Sequence, residues 1–100
     1  MGAALFLTHR TKPGRRDDVE RVWRRHMPDA IAANDGHELY RYCFAEDSPD
    51  VIVVYQQYVD ADAAAAFLET PPYLAYLREV EPLLEGPPEA VRAVVRWQKK

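Results

Sequence analysis

The stretch HELYRYCFAEDSPDVIVVYQQYV, residues 37–59, decides the fold. Its two ends, residues 37–45 and 51–59, are rich in tyrosine, valine, isoleucine and phenylalanine, which suit an extended, pleated backbone. Between them Glu46, Asp47, Ser48, Pro49 and Asp50 form a polar run that reads as a hairpin loop. In the first strand Leu39 and Cys43 alternate with Tyr40, Tyr42 and Phe44. In the second, Val51, Val53 and Tyr55 alternate with Ile52, Val54 and Tyr58. Neither parity is polar, as one would be in a sheet with one face in water.

Working outward, residues 15–34 carry Val19, Val22, Trp23, Met27, Ala30 and Ile31 at helical spacing, and the same ladder passes through His26 and Asn34. Asp17 and Asp18 favour the positive end of the helix dipole, and Asp17 with Glu20 has the spacing of a capping box. Pro28 predicts a kink, because its ring crowds the preceding turn and its nitrogen has no hydrogen to donate. Asn34-Asp35-Gly36 ends the helix. Before it, residues 3–11 place Leu5, Leu7 and His9 on one parity and Phe6, Thr8 and Arg10 on the other, a strand stopped by Lys12-Pro13-Gly14.

Downstream, Asp60 caps a helix over residues 61–69, and its alanine run, Ala63 to Ala66, is read as tightly packed. Pro71-Pro72 breaks that helix, Tyr73, Tyr76, Leu77, Val80 and Leu84 resume its spacing, and Gly86-Pro87-Pro88 ends it. Residues 90–97 read as a last strand. The order is an α+β, ferredoxin-like βαββαβ arrangement with an antiparallel four-stranded sheet, in a single domain over residues 1–100. The helices can cover only one face of the sheet. The other face would leave an apolar patch in water, so a homodimer packed sheet against sheet is expected, as a dimeric α+β barrel, with a monomer tolerating scattered tyrosines as the alternative.

Composition excludes several classes. Thirteen Lys and Arg against sixteen Asp and Glu give a net charge of -3, the wrong balance for a phosphate-backbone binder, so no nucleic acid partner is expected. No uncharged stretch approaches the ~20 apolar residues a bilayer requires, so no membrane partner is expected either. The first eleven residues lack the basic lead and long apolar block of a secretory signal, which makes the cytoplasm the expected location. Cys43 is the single cysteine and Ser48 the single serine, and neither reads as a nucleophile. Three histidines in separate elements form no metal set, and four glycines in separate turns form no phosphate loop. No cofactor and no metal are expected.

Lys12-Pro13-Gly14 before the long helix, Asp35-Gly36 followed by Tyr40 and Tyr42, and Val54-Tyr55-Gln56-Gln57-Tyr58 running into Asp60-Ala61-Asp62 recur in one known group. With Thr70-Pro71, Leu77-Arg78-Glu79 and Gly86-Pro87-Pro88, they make the chain resemble the antibiotic biosynthesis monooxygenase family of small dimeric α+β barrel proteins. The resemblance implies a cofactor-independent monooxygenase that oxidises an aromatic phenol, anthrone or polyketide-like compound to a quinone with molecular oxygen. Such a site needs an apolar slot that excludes water, a base, and groups that stabilise the substrate anion.

The resemblance places Arg78 where some family enzymes hold an arginine over the substrate, which implies a tenfold or greater loss of turnover in Arg78→Ala; a surface ion pair with Glu81 or an aspartate is the other reading. Tyr58 stands where family members commonly have tryptophan. Tyr42 stands where some present a tyrosine to the pocket, with core or dimer packing as its alternative. From the residues alone, His26 or His9 is the candidate general base, and Trp23 and Asn34 shape the slot. A core histidine, core packing and a helix cap are the alternatives for His26, Trp23 and Asn34. His37, just after a turn, is expected in solvent.

Phe67 and Pro72 stand where many members carry histidine, and Val54 where some quinone-forming members carry asparagine; Phe67 is taken as a substrate-contacting ring. Leu7, Phe67 and Leu77 replace the asparagine, tryptophan and histidine of haem-degrading relatives, so haem degradation is not expected. Two other functions stay open: a non-catalytic small-molecule-binding or interaction module, and an isomerase or cyclase on the same fold.

Overall fold

The computed structural model describes residues 2–99. Its elements are β1 (Ala3–Arg10), α1 (Arg16–Ala32), β2 (His37–Phe44), β3 (Val51–Tyr58), α2 (Ala61–Phe67), α3 (Pro71–Val80), a 3-10 turn (Glu81–Leu83) and β4 (Glu89–Val94). The strands form one antiparallel sheet in the order β2-β3-β1-β4. This is the expected ferredoxin-like arrangement, with the second helical region divided into α2 and α3.

Local chemistry explains the boundaries. Asp60 is extended and its carboxylate accepts the Ala63 N–H at 2.7 Å, which fixes the start of α2. Pro71 stands in the first turn of α3, where no intrahelical N–H is needed, so the proline pair opens a helix as well as closing one. Leu84, expected on that helix, lies past its end and bridges to Thr11. The capping box at Asp17 and Glu20 does not form: Arg15 is the N-cap, without a side-chain bond, and Glu20 is taken by Arg24. Pro28 lies inside α1 without ending it.

The β2–β3 hairpin is tied to the start of α1. Gly14, in the left-handed region at φ 76°, donates its N–H to Asp50 Oδ1 at 3.0 Å. The Arg16 guanidinium donates to the Ala45, Ser48 and Val51 carbonyls at 3.2, 2.8 and 3.2 Å and lies 3.9 Å from the centre of the Phe44 ring. Charge-assisted bonds are among the stronger ones in a small domain, and here they add to the backbone bonds that the Ser48 and Val51 carbonyls already accept. Arg16→Ala should therefore destabilise the fold by about 2 kcal/mol, read as a drop in melting temperature of about 10 °C.

Leu5, Leu7 and His9 of β1, Ile52, Val54, Gln56 and Tyr58 of β3, and Tyr40, Tyr42 and Phe44 of β2 share the face under the helices. There they meet Val19, Val22, Trp23 and Met27 of α1, Phe67 of α2, and Tyr76 and Val80 of α3. The opposite face is open and apolar, with Phe6, Val53 and Val91 exposed and the Phe6 and Tyr55 rings 4.9 Å apart.

Regular alternation would put His37 on that open face with Leu39. A bulge prevents this: His37 pairs with Tyr58 while Leu39 pairs with Gln57, leaving Glu38 as the extra residue. The parity of the strand changes there, and His37 turns under the helices.

Candidate functional site

Re-aimed by the bulge, His37 sits in an aromatic box. Its ring lies 4.3 Å from Tyr58, 5.7 Å from Tyr40 and 4.5 Å from the edge-on ring of Phe67. Polar contacts run through both of its nitrogens. Asn34, just past the end of α1, places Nδ2 2.8 Å from His37 Nδ1, and His37 Nε2 lies 3.2 Å from Gln56 Oε1. An amide nitrogen can only donate and an amide oxygen can only accept, so this chain fixes the neutral imidazole with its proton on Nε2. The Tyr58 hydroxyl donates to the same Gln56 oxygen.

Burial holds the His37 pKa below its ordinary value, opposed by the bond to Gln56, which favours the charged form. The imidazole is therefore neutral at pH 7, with Nδ1 as its lone pair. Asn34 and Phe67 also line an open cleft of about 310 Å³ with Ala30, Ala33, Thr70, Pro71 and Pro72, between the end of α1 and the α2–α3 junction. Asn34, the partner of His37 Nδ1, thus lines a solvent-reachable cleft.

The aromatic interior continues beneath α1. Trp23 donates its indole N–H to the Tyr40 hydroxyl at 3.1 Å and stacks on Tyr42 with centroids 4.4 Å apart. Burial raises the pKa of Tyr40, Tyr42, Tyr58 and Tyr76, so these phenols stay protonated as donors. His9 is buried against the edge of Tyr76, and desolvation lowers its pKa to about 4.

Two candidates fall elsewhere. His26 lies at the outer seam between α1 and α3, where its Nε2 and the Arg25 guanidinium each stand 3.1 Å from Glu79 Oε2. The His26 contact holds the Glu79 carboxyl below its usual pKa. Arg78 is exposed on the stripe of α3 that carries Leu74, opposite the buried Tyr76 and Val80. Helical geometry turns that stripe to solvent, so Arg78 is not brought to the aromatic interior.

The structure thus brings together Asn34, Phe67, Tyr58, Tyr42 and Trp23 and adds His37 and Gln56. The expectation that His37 would lie in solvent is corrected by the bulge. A polar residue at the centre of the helix-facing parity of β3 was the available signal for Gln56, since a buried amide there needs partners. Among the described residues no group of three or more histidine, cysteine, aspartate or glutamate side chains is placed to hold a metal ion. No described helix is long and apolar enough to cross a membrane.

The fold and this interior define an α+β, ferredoxin-like class in which a sheet and its helices enclose an aromatic site. The model of the antibiotic biosynthesis monooxygenase family matches residues 4–79, and the chain belongs to that family. No curated protein matches it significantly.

Solved structures share the fold. A Nitrosomonas europaea protein provisionally assigned to the same family is 21% identical, with 92% of this chain and 88% of that one covered and a TM-score of 0.85. Rv0793 from Mycobacterium tuberculosis is 19% identical with both chains fully covered and a TM-score of 0.87. PA3566 from Pseudomonas aeruginosa is 20% identical, covers 96% of this chain and 95% of its own, and has a TM-score of 0.84.

Proposed function

We propose that the protein is a cofactor-independent monooxygenase that oxidises an electron-rich aromatic phenol, anthrone or polyketide-like compound to a quinone with molecular oxygen. The observation that carries this reading is the neutral His37, oriented by Asn34 and Gln56 inside an aromatic box beside an open cleft. The substrate ring lies against Phe67 and displaces the Asn34 amide from His37 Nδ1. His37 then takes the proton whose loss creates the electron-rich anion. That anion passes an electron to oxygen, carbon and oxygen combine, and the hydroperoxide loses water. For an anthrone the balance is one CH2 and one O2 giving one C=O and one H2O.

The roles follow from placement. Asn34 orients the base and then hydrogen-bonds the substrate, Gln56 and Tyr58 hold the far side of the imidazole, and Trp23 and Tyr42 wall the slot. His9 is too weak a base at a pKa of about 4 for a reaction near neutral pH. His26 is engaged with Glu79 at the outer seam. Arg78→Ala is expected to keep turnover within about twofold of wild type, the size of a surface change; a tenfold loss would return the arginine to the site.

Homodimerisation through the open sheet face belongs to this reading, because Phe6, Val53 and Val91 present apolar surface there. Phe6→Glu should convert the dimer to a monomer in sedimentation, and a wild-type monomer would contradict the expectation. The activity is tested by oxygen consumption of metal-stripped protein with a panel of anthrones and hydroquinones, after subtraction of spontaneous oxidation. Binding without uptake would identify a ligand-binding module. Conversion without added oxygen would identify an isomerase or cyclase.

A further inference from the structure

The cleft beside Asn34 is built from two segments, residues 28–36 and 59–77, that hold five carboxylates and no lysine or arginine. Asp29, Asp35, Asp60, Asp62 and Glu69 are all exposed, and none is in an ion pair among the described residues. Asp29 directly precedes Ala30, Asp35 follows Asn34 and Glu69 precedes Thr70, so three of the five stand next to residues that line the cleft. The other two are brought close because the Gly36 carbonyl accepts the Val59 N–H at 2.9 Å, which sets the start of α2 against the turn after α1. Thirteen Lys and Arg face sixteen Asp and Glu in the whole chain, so this lobe departs sharply from the near balance elsewhere.

The backbone adds to the field. α1 ends at the cleft with no basic residue in its last turn. The N–H groups of Ala33, Asn34 and His37 go to the Asp29, Ile31 and Asn34 carbonyls, which leaves the carbonyls of Ala30 and Ala33 without a backbone donor among the described residues. Free carbonyls at a helix C-terminus carry its negative partial charge and favour a cation. Nearby arginines are engaged or turned away: Arg24 pairs with Glu20, Arg25 pairs with Glu79, and Arg78 lies on the outer stripe of α3. The walls are of opposite character, since Phe67, Pro71, Pro72 and the two alanines are apolar. No three acidic side chains among the described residues are placed to hold a metal ion, so the field acts on a charge that the ligand itself carries.

We infer that the cleft takes a planar aromatic compound bearing an aliphatic amine, bound as its ammonium, with the flat body against Phe67 and the charge at the acidic rim. A space of about 310 Å³ accommodates a fused ring pair with a short side chain. The inference rests on the proposed function only in taking this cleft as the substrate site, and it names the charge class of that substrate. It also meets a need of the chemistry. The anion formed when His37 removes a proton requires a counter-charge, no lining residue of the cleft is cationic, and an ammonium group on the substrate supplies one.

The test measures binding under nitrogen, so that no turnover enters. 2-Naphthylmethylamine, 2-naphthylmethanol and 2-naphthylacetate share the ring system and carry a positive, no and a negative charge at neutral pH. Calorimetry is expected to find the ammonium at least tenfold tighter than the carboxylate in about 20 mM salt, with the ratio falling towards one in about 0.5 M salt, where screening acts within about 4 Å. The triple variant Asp29→Asn, Asp35→Asn, Glu69→Gln should lose most of the ratio and bind the alcohol as wild type does. Asp60 is left alone because it caps α2. The control is Glu46→Gln, Asp47→Asn, Glu85→Gln, which removes the same charge at the other end of the sheet, about 23 Å away along β3, and should keep the ratio. No binding of the ammonium, equal affinities for ammonium and carboxylate, or a ratio that survives the triple variant or falls equally in the control overturns the inference. A charge preference that follows the rim, together with no oxygen uptake on any substrate, would uphold the inference and overturn the oxidation reading. Oxidation of carboxylated anthrones as fast as aminated ones would do the reverse.

Discussion

His37→Ala is expected to lower protein-dependent quinone formation by about a hundredfold, the low end of what a positioned general base contributes. The substitution removes the imidazole and leaves Asn34 and Gln56 facing a gap, while most of the wall formed by Tyr58, Tyr40 and Phe67 stays in place. The loss should therefore appear in kcat more than in KM. Asn34→Ala should do less, about tenfold, because it frees the lone pair but removes its orientation. In wild type the rate should rise with pH and level off at a midpoint below 6.5, since the neutral imidazole is the active form and its pKa is lowered by burial. Equal turnover in His37→Ala would remove the base from the scheme.

The second large effect is on stability. His9 titrates near 6.5 in the unfolded chain and at about 4 in the fold, because burial penalises the imidazolium. Between those values the unfolded chain takes up a proton that the folded chain does not. Stability is therefore complete above 6.5, declines as the pH falls towards 4, and gains no further slope from this residue below it. The total is about 3 kcal/mol at pH 4. His37, shifted in the same direction, adds to the decline. Urea unfolding at pH 7.5 and pH 4.5 measures it, and His9→Leu should remove most of the difference. A His9→Leu protein with the full wild-type acid sensitivity would contradict this assignment.

The fold could be read in the sequence because its signals are local. The β-favouring run in residues 51–58, helical spacing from Val19 to Ile31, the Asp60 cap and the breakers at Lys12-Pro13-Gly14 and Gly86-Pro87-Pro88 each act within a few residues. Where the reading departs from the structure, a second local rule competes. Pro71 is a poor residue late in one helix and a good first residue of the next, so the second helix begins at the proline pair itself and ends at Val80, before Leu84.

The site was less legible for a physical reason. Trp23, Tyr42, Tyr58, Asn34 and Phe67 were suggested by face or by resemblance, and they do meet. A position just after a turn predicts solvent exposure for His37, and only the pairing of β2 with β3 reveals the bulge that reverses its direction. Its partner Gln56 lies nineteen positions away on another strand. The resemblance favoured Arg78 by its place in the chain, but the face of α3 that it occupies depends on where Pro71 starts the helix.

The most direct measurement is oxidation of an anthrone under 18O2 by the metal-stripped protein, with mass analysis of the product and a parallel His37→Ala sample. One labelled oxygen in the quinone, formed in proportion to wild-type protein and about a hundredfold less with the variant, is the predicted result. Product formation that is independent of the protein, or a product without label, would contradict the assignment.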